Sequence, residues 1–407
     1  MADSATWTAV ARRGIAALRD ADWIAGHRVR AYSLGAVLAY LAWAVIGVVR
    51  GFWLYQTDGL PVPGDFIAFW SAARMAAAGN AAAAYDWAAH HAVQVAAIGQ
   101  DFEGFFAWHN PPHFLLVLLP FAAMPYVPAW LVFNLVSAGL FLLVFRQVLP
   151  VSGAWLVALG APATFLCIIA GQLGFLVAAL TGATLLLMDR RPIMAGASLG
   201  LLTIKPQYGV LFPLLLIATG RWRVFSVASI ATLVLIGVSA AVFGVEAWQA
   251  FFRSLTGETF NILLEGGADW TKLQSFYACF YLLTGRERLA MGLHLACAIA
   301  VAAVVVWVWR SRASEGVRSA AAVAGSFLMT PYAYAYDAVT VVLAAAFLAR
   351  EVVTRGALPW ERLLICLAVA APASFFVTAS FATPAAMLTL LALAVRRARV
   401  ERATAGA

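Results

Sequence analysis

An aspartate heads an aromatic run in "GDFIAFWSAARMAAAGNAAAAYD" (residues 64–86), where an aqueous loop meets an apolar helix. Asp65 there has two readings. Partly apolar surroundings push a carboxylate pKa towards the range in which it accepts a proton from a hydroxyl. Equally, aspartate is a favoured helix N-cap. Lys205 is the second conspicuous charge. It interrupts "AGASLGLLTIKPQYGVLFPLLLIATG", with apolar sequence on both sides, and only two of the chain's 27 lysine and arginine residues are lysines. The helix before it is short (about 192–204) and Pro206 breaks the ladder behind it. An ammonium group at such a broken tip is a seat for an anion, especially a lipid phosphate. The plain alternative is a lysine snorkelling to water.

The remaining candidates are weaker. Tyr85 and Asp86, in "AYDWAAHH", either cap a second loop helix or line a site. His90 and His91 are adjacent and point different ways on a helix. His109 and His113 have i,i+4 spacing, but "HNPPH" contains two prolines and is not helical across that interval, so no zinc site is expected. The motif fits a rigid turn presenting His109 and Asn110 to a cavity. Gln172, beside Gly171, offers a donor and an acceptor at a helix start, or else glue between helices. Asp337 closes "PYAYAYD" and is either a ligand contact or half of a buried pair. No metal or other cofactor is implied by these residues.

What must position them is a membrane. The chain is 64% hydrophobic and 11% charged, against about 25% charged in a soluble domain. Apolar runs long enough to cross a bilayer recur along its whole length, and each must satisfy its own backbone as a helix. Alternating strands and a cleavable leader pattern are both lacking, so neither a β-barrel nor a cleaved signal peptide is expected. The net charge of +8 comes from arginines clustered at helix ends, which orient a membrane protein rather than bind nucleic acid. The four cysteines lie in or beside apolar segments and read as packing residues.

The arginines also give an orientation. Residues 1–30 and the tail 399–407 are basic and expected in the cytoplasm, as are "DRRP" (189–192), "GRWR" (220–223), "RSRASEGVR" (310–318) and "REVVTRGALPWER" (350–362). Between them, a large first loop (51–112), Gly171-Gln172, Lys205-Pro206, a second loop (244–288) and "PYAYAYD" fall on the opposite, extracytoplasmic face. In the first loop, 65–79 and 84–97 are expected as short helices separated by Gly79-Asn80. Their Trp70 and Trp87, with Trp108 further on, suit the membrane surface. Residues 113–124 read as a re-entrant or half-crossing helix beside 128–147 and 151–170, with a break at Pro162 as the alternative. The expected fold is an all-α, polytopic helix bundle of about twelve spans, forming one transmembrane domain over 31–398.

Several of these elements, in this order, resemble the polyprenol-phosphate-mannose-dependent enzymes of glycosyltransferase family 87. They are "GDFIAFWSAARMAAAGNAAAAYD", "NPPHFLLVLLPFAAMP", "GQLGFL", "AGASLGLLTIKPQ" followed by "GRWR", and "TPYAYAYD", and together they cover roughly 60–340. His-Asn stands where many relatives have an aromatic before the double proline. The resemblance implies a GT-C fold and a bacterial inner-membrane enzyme with its active site outside. It implies a polyprenyl-phosphate sugar donor, mannose by analogy, and a glycan or glycolipid acceptor. The family's catalytic aspartate maps onto Asp65. Lys205 would then hold the departing phosphate, with Tyr85, Asp86, His109, Asn110, Gln172, Gln207, Tyr336 and Asp337 as candidate substrate contacts. In-line attack would invert the anomeric centre. The competing classes are a secondary transporter or flippase, which would favour inverted repeats, and a scaffolding subunit, which would leave Lys205 unexplained.

Overall fold

The computed structural model describes residues 4–255 and 270–404. Residues 256–269 of the expected second loop, 1–3 of the N-terminal segment and 405–407 of the tail lie outside the described residues. Among those described, every regular element is a helix or a 3₁₀ turn, with three isolated bridges and no strand. Among the described residues, five helices are long and apolar enough to cross a membrane: Gly26–Arg50, Tyr126–Val148, Trp222–Phe243, Glu287–Arg310 and Ala379–Thr404.

About twelve spans were expected; proline and glycine cut other apolar stretches into pieces shorter than these five. The stretch 151–170 is two helices, Ala154–Gly160 and Pro162–Ala170, joined at an extended Ala161. A residue before proline avoids the helical region, which accounts for the break. Residues 192–218 form Pro192–Leu201, two 3₁₀ turns and Leu211–Ala218, with Lys205 between the turns in a non-helical conformation. Phe114–Ala122 has nine residues, a rise of about 13 Å against a hydrocarbon core of about 30 Å.

The first loop carries helices Phe66–Ala77 and Trp87–Ile98 with a 3₁₀ turn between them. The first differs from the surface helix expected. It is buried on nearly every side, and Trp70 and Trp108 are buried with it. Its own polar side chains fasten it inward: Trp70 Nε1 donates to Met124 O at 2.9 Å and Arg74 Nη1 to Ala122 O at 3.0 Å. These are carbonyls left unpaired where Phe114–Ala122 ends. On its other side, His90 sits 2.7 Å from Ser71 Oγ, and Gln94 Nε2 donates to Phe106 O at 2.8 Å. Trp70, Arg74 and His90 therefore anchor the loop helix.

Polar side chains gather in two zones. In one, Arg221 pairs with Asp189, which Arg318 also approaches, and Ser314 N donates to Glu401. Arg355 meets Glu401, Arg397 pairs with Glu361, and Arg362 pairs with Asp22. The sequence's separate basic loops thus meet as one cluster. The helix Val339–Arg355 starts beside Asp337 and ends in that cluster, about 25 Å away along its axis. Asp337 belongs to the second zone.

Candidate active site

Four chain segments converge on the second zone. The helix Pro162–Ala170 ends at Gly171, whose left-handed φ of +70° suits glycine. A Cβ there would collide with Trp130 Nε1 and Phe66 Cβ; one at Gly174 would strike the carbonyl of Tyr336. "GQLG" therefore threads between the head of the first-loop helix and the 331–337 segment, with Gln172 between its two glycines. Gln172 Nε2 donates to Asp65 Oδ2 at 3.3 Å. Asp65 is held from behind: Gly64 N donates to Tyr126 Oη at 3.0 Å, and a Cβ at Gly64 would meet the Trp130 ring at 2.7 Å.

Asp65 does not cap its helix. It has helical backbone angles, and its side chain accepts no bond from the helix N–H groups. Asp65 as a residue is half-buried, and its carboxylate is densely surrounded. Desolvation by that surrounding protein raises its pKa above the ordinary aspartate value, opposed by the Lys272 ammonium, the Gln172 bond and the Lys205 ammonium, in that order.

Lys205 and Asp337 form the interior of the site. Lys205 Nζ lies 2.5 Å from Asp337 Oδ1, and Tyr334 N donates to Oδ2 at 3.0 Å. The ammonium also stands 4.8 Å from the Tyr336 ring and 5.4 Å from the Tyr208 ring, within cation–π range. Tyr334 and Tyr336 stack on each other with centroids 5.4 Å apart. Lys205 is only 6% exposed and Asp337 fully buried, so Lys205 does not snorkel. Its broken-helix position, legible in the sequence, turns it inward onto a carboxylate.

The arrangement offers a proton acceptor with a raised pKa, an amide fixing its orientation, and a desolvated ammonium framed by aromatic faces. Among the described residues, no group of three or more His, Cys, Asp or Glu side chains is placed to hold a metal ion. A model of glycosyltransferase family 87 matches residues 108–331, more than half of the chain.

The chain belongs to glycosyltransferase family 87. Membership implies a membrane glycosyltransferase, with a sugar donor and an acceptor. The matched stretch contains Gln172, Lys205 and Lys272, whereas Asp65 and Asp337 lie outside it. Searches of curated proteins and of solved structures each returned no match.

The other sequence candidates fall elsewhere in this glycosyltransferase. Tyr85 Oη donates to the Asn110 carbonyl at 2.7 Å, and its ring packs on Trp108 and Phe251. His109 belongs to the same turn, and burial lowers its pKa to about 4. His113 lies 3.2 Å from Thr203 Oγ1 and stacks on Trp248. Asp86 is exposed and accepts from Ala89 N at 2.8 Å, the cap geometry that Asp65 lacks. Gln207 lies in the turn after Lys205, and its side chain makes no hydrogen bond among the described residues.

Lys272 was not singled out in the sequence, although its rarity was a signal: it is the second of the two lysines. It ends the turn Trp270–Lys272. Leu273 then bridges Tyr334, and Gln274 N donates to Ala333 O at 2.6 Å. Those bonds fasten the exposed Lys272 to the rim beside the tyrosines.

Proposed function

We propose that this glycosyltransferase moves a sugar, mannose by family analogy, from a polyprenyl-phosphate carrier to the hydroxyl of a glycan or glycolipid. Asp65 takes the acceptor's proton, and the acceptor oxygen attacks the anomeric carbon in line. The phosphate leaves with the bonding electron pair and the anomeric centre inverts. Lys205, held by Asp337, forms the inner side of the phosphate seat. A lipid phosphate is already a good leaving group, so the reaction calls for a base and a cation and no further acid. We place the site on the extracytoplasmic face of the bacterial inner membrane, with both termini in the cytoplasm and about twelve crossings in a GT-C-like bundle. The grouping of the arginine loops in one polar zone and of Asp65, Gln172, Lys205 and Asp337 in the other supports a single active face.

The observation that carries this reading is an uncapping aspartate with a raised pKa beside a desolvated lysine, in a family 87 chain. Purified protein should consume a polyprenyl-phosphate sugar in the presence of a glycan acceptor and release polyprenyl phosphate. If nucleotide sugars were consumed and lipid-linked sugars ignored, the donor assignment would fall. Sidedness has its own test. A cysteine at Asn80 should react with an impermeant reagent added to intact cells, and one at Arg312 should not; the reverse pattern would overturn the assignment of faces.

A further inference from the structure

Two carboxylates and one ammonium, Asp65, Asp337 and Lys205, would present an approaching phosphate with a net negative site. Lys205 also shares its charge with Asp337 at 2.5 Å. Lys272 corrects that balance. It stands exposed at the rim, next to the backbone bridge that ties Leu273 to Tyr334. Gln274 fixes the segment further, donating to Ala379 O at 2.7 Å and accepting from Thr383 Oγ1 at 2.9 Å. The backbone at this point is therefore anchored while the lysine side chain, on its flexible four-carbon stem, is free to swing.

We propose that Lys272 is the movable counter-charge of the transfer site, pairing with Asp65 before reaction and with the lipid phosphate as it departs. The inference rests on the lipid-phosphate reading above and goes beyond it by assigning the second lysine. The charge accounting explains why one cation serves both partners. A polyprenyl-phosphate sugar is a phosphodiester with a single negative charge. When the acceptor's O–H proton passes to Asp65, that carboxylate becomes neutral. The new bond joins the acceptor oxygen to the anomeric carbon. The bond from that carbon to the phosphate oxygen breaks, its electron pair stays on the phosphate, and the group becomes a dianion. One unit of negative charge thus leaves Asp65 and appears on the phosphate, with the total unchanged. With both lysines the empty site is neutral, which suits one phosphate group rather than a diphosphate.

The test is made in the Asp65→Asn protein, where there is no carboxylate for Lys272 to tune. Binding of undecaprenyl phosphate in detergent is followed by quenching of tryptophan fluorescence. Adding Lys272→Met should weaken binding about tenfold to a hundredfold, the range for losing a charged hydrogen bond. The melting temperature should stay unchanged, because the side chain is exposed. Lys272→Arg should restore most of the affinity, and salt should weaken binding by the parent more than by Lys272→Met. If the parent binds and Lys272→Met binds equally well, or if Arg and Met lose affinity alike, the assignment of Lys272 is overturned while the donor reading stands. If the parent itself ignores undecaprenyl phosphate and the wild type ignores lipid-linked sugars, the donor reading falls and takes the inference with it.

Discussion

Two buried ion pairs sit in the two polar zones, and they are built differently. Arg397 and Glu361 form a multiply bonded pair: Arg397 Nε and Nη2 both engage the carboxylate, Nη2 also donates to Gly356 O at 2.7 Å, and Leu358 N donates to Glu361 Oε2 at 2.8 Å. Lys205 and Asp337 are as deeply buried, yet the ammonium, with three donors, makes one hydrogen bond among the described residues. Its other neighbours are the faces of Tyr336 and Tyr208. The multiply bonded pair ties the C-terminal helix to the 356–361 turn. The singly bonded one has donor capacity left over, which the proposed phosphate seat would use. The two pairs are equally buried and differ in how they are bonded.

The largest effect should come from the carboxylate near the Lys205–Asp337 pair. Asp65→Asn removes the proton acceptor and should cost about 10²- to 10⁴-fold in turnover. The melting temperature and the binding of lipid donor should persist, since Asp65 makes no cap bond. Asp86→Asn, run in parallel, keeps its cap, because asparagine caps a helix about as well as aspartate, and should leave stability nearly unchanged with a smaller loss of turnover. Turnover by Asp65→Asn above about a third of wild type, far short of that range, would remove Asp65 as the base and make Asp337 the next residue to test.

The two pairs can then be broken directly. Arg397→Met and Lys205→Met each strand a buried carboxylate and should each cost about 3–5 kcal/mol of stability, read as a lowered melting temperature in detergent. Neutral double replacements, Arg397→Met with Glu361→Gln and Lys205→Met with Asp337→Asn, should recover most of it. Activity is where the zones should part. The first double variant should keep turnover once refolded stability is restored, whereas the second should remain about ten- to a hundredfold impaired. Equal activity in the two stabilised doubles would reduce Lys205–Asp337 to a second structural tie.

How far the sequence foretold this contrast depends on what each residue needed. Helical class, the short loop helices and the break around Lys205 were legible because proline and glycine act locally. The inward burial of Phe66–Ala77 was not, since a helix apolar but for one serine and one arginine reads alike against lipid or protein; the deciding contacts reach Ala122 and Met124, about fifty positions away. The pairing of Lys205 with Asp337 spans 132 positions, so each was visible as a costly charge but not as the other's partner. Asp65 and Asp86 could each be a helix cap in the sequence, Asp86 the more so. Only backbone angles and hydrogen bonds separate them.

The smallest effect is a displacement along the pH axis, and it sharpens the same comparison from the side of Asp65. Desolvation holds the folded-state pKa of Asp65 above its unfolded value, with Lys272 the largest opposing influence. The base must be ionised to work, so turnover should fall about tenfold per pH unit below that raised pKa, an acid limb above the ordinary carboxylate range of about 4. The sign for stability runs the other way. The folded state binds this proton more tightly than the unfolded chain, so the Asp65 contribution is most favourable at low pH and is lost as pH rises through the folded pKa. Lys272→Met removes an influence that lowers the pKa, so the acid limb should move to higher pH and the residual rate should recover partly on going alkaline. Arg397→Met with Glu361→Gln, in the distant zone, should leave the limb in place. A limb that shifts equally in both variants would mean that the proton-sensitive group is not Asp65 beside Lys272, and that the two polar zones are not independent.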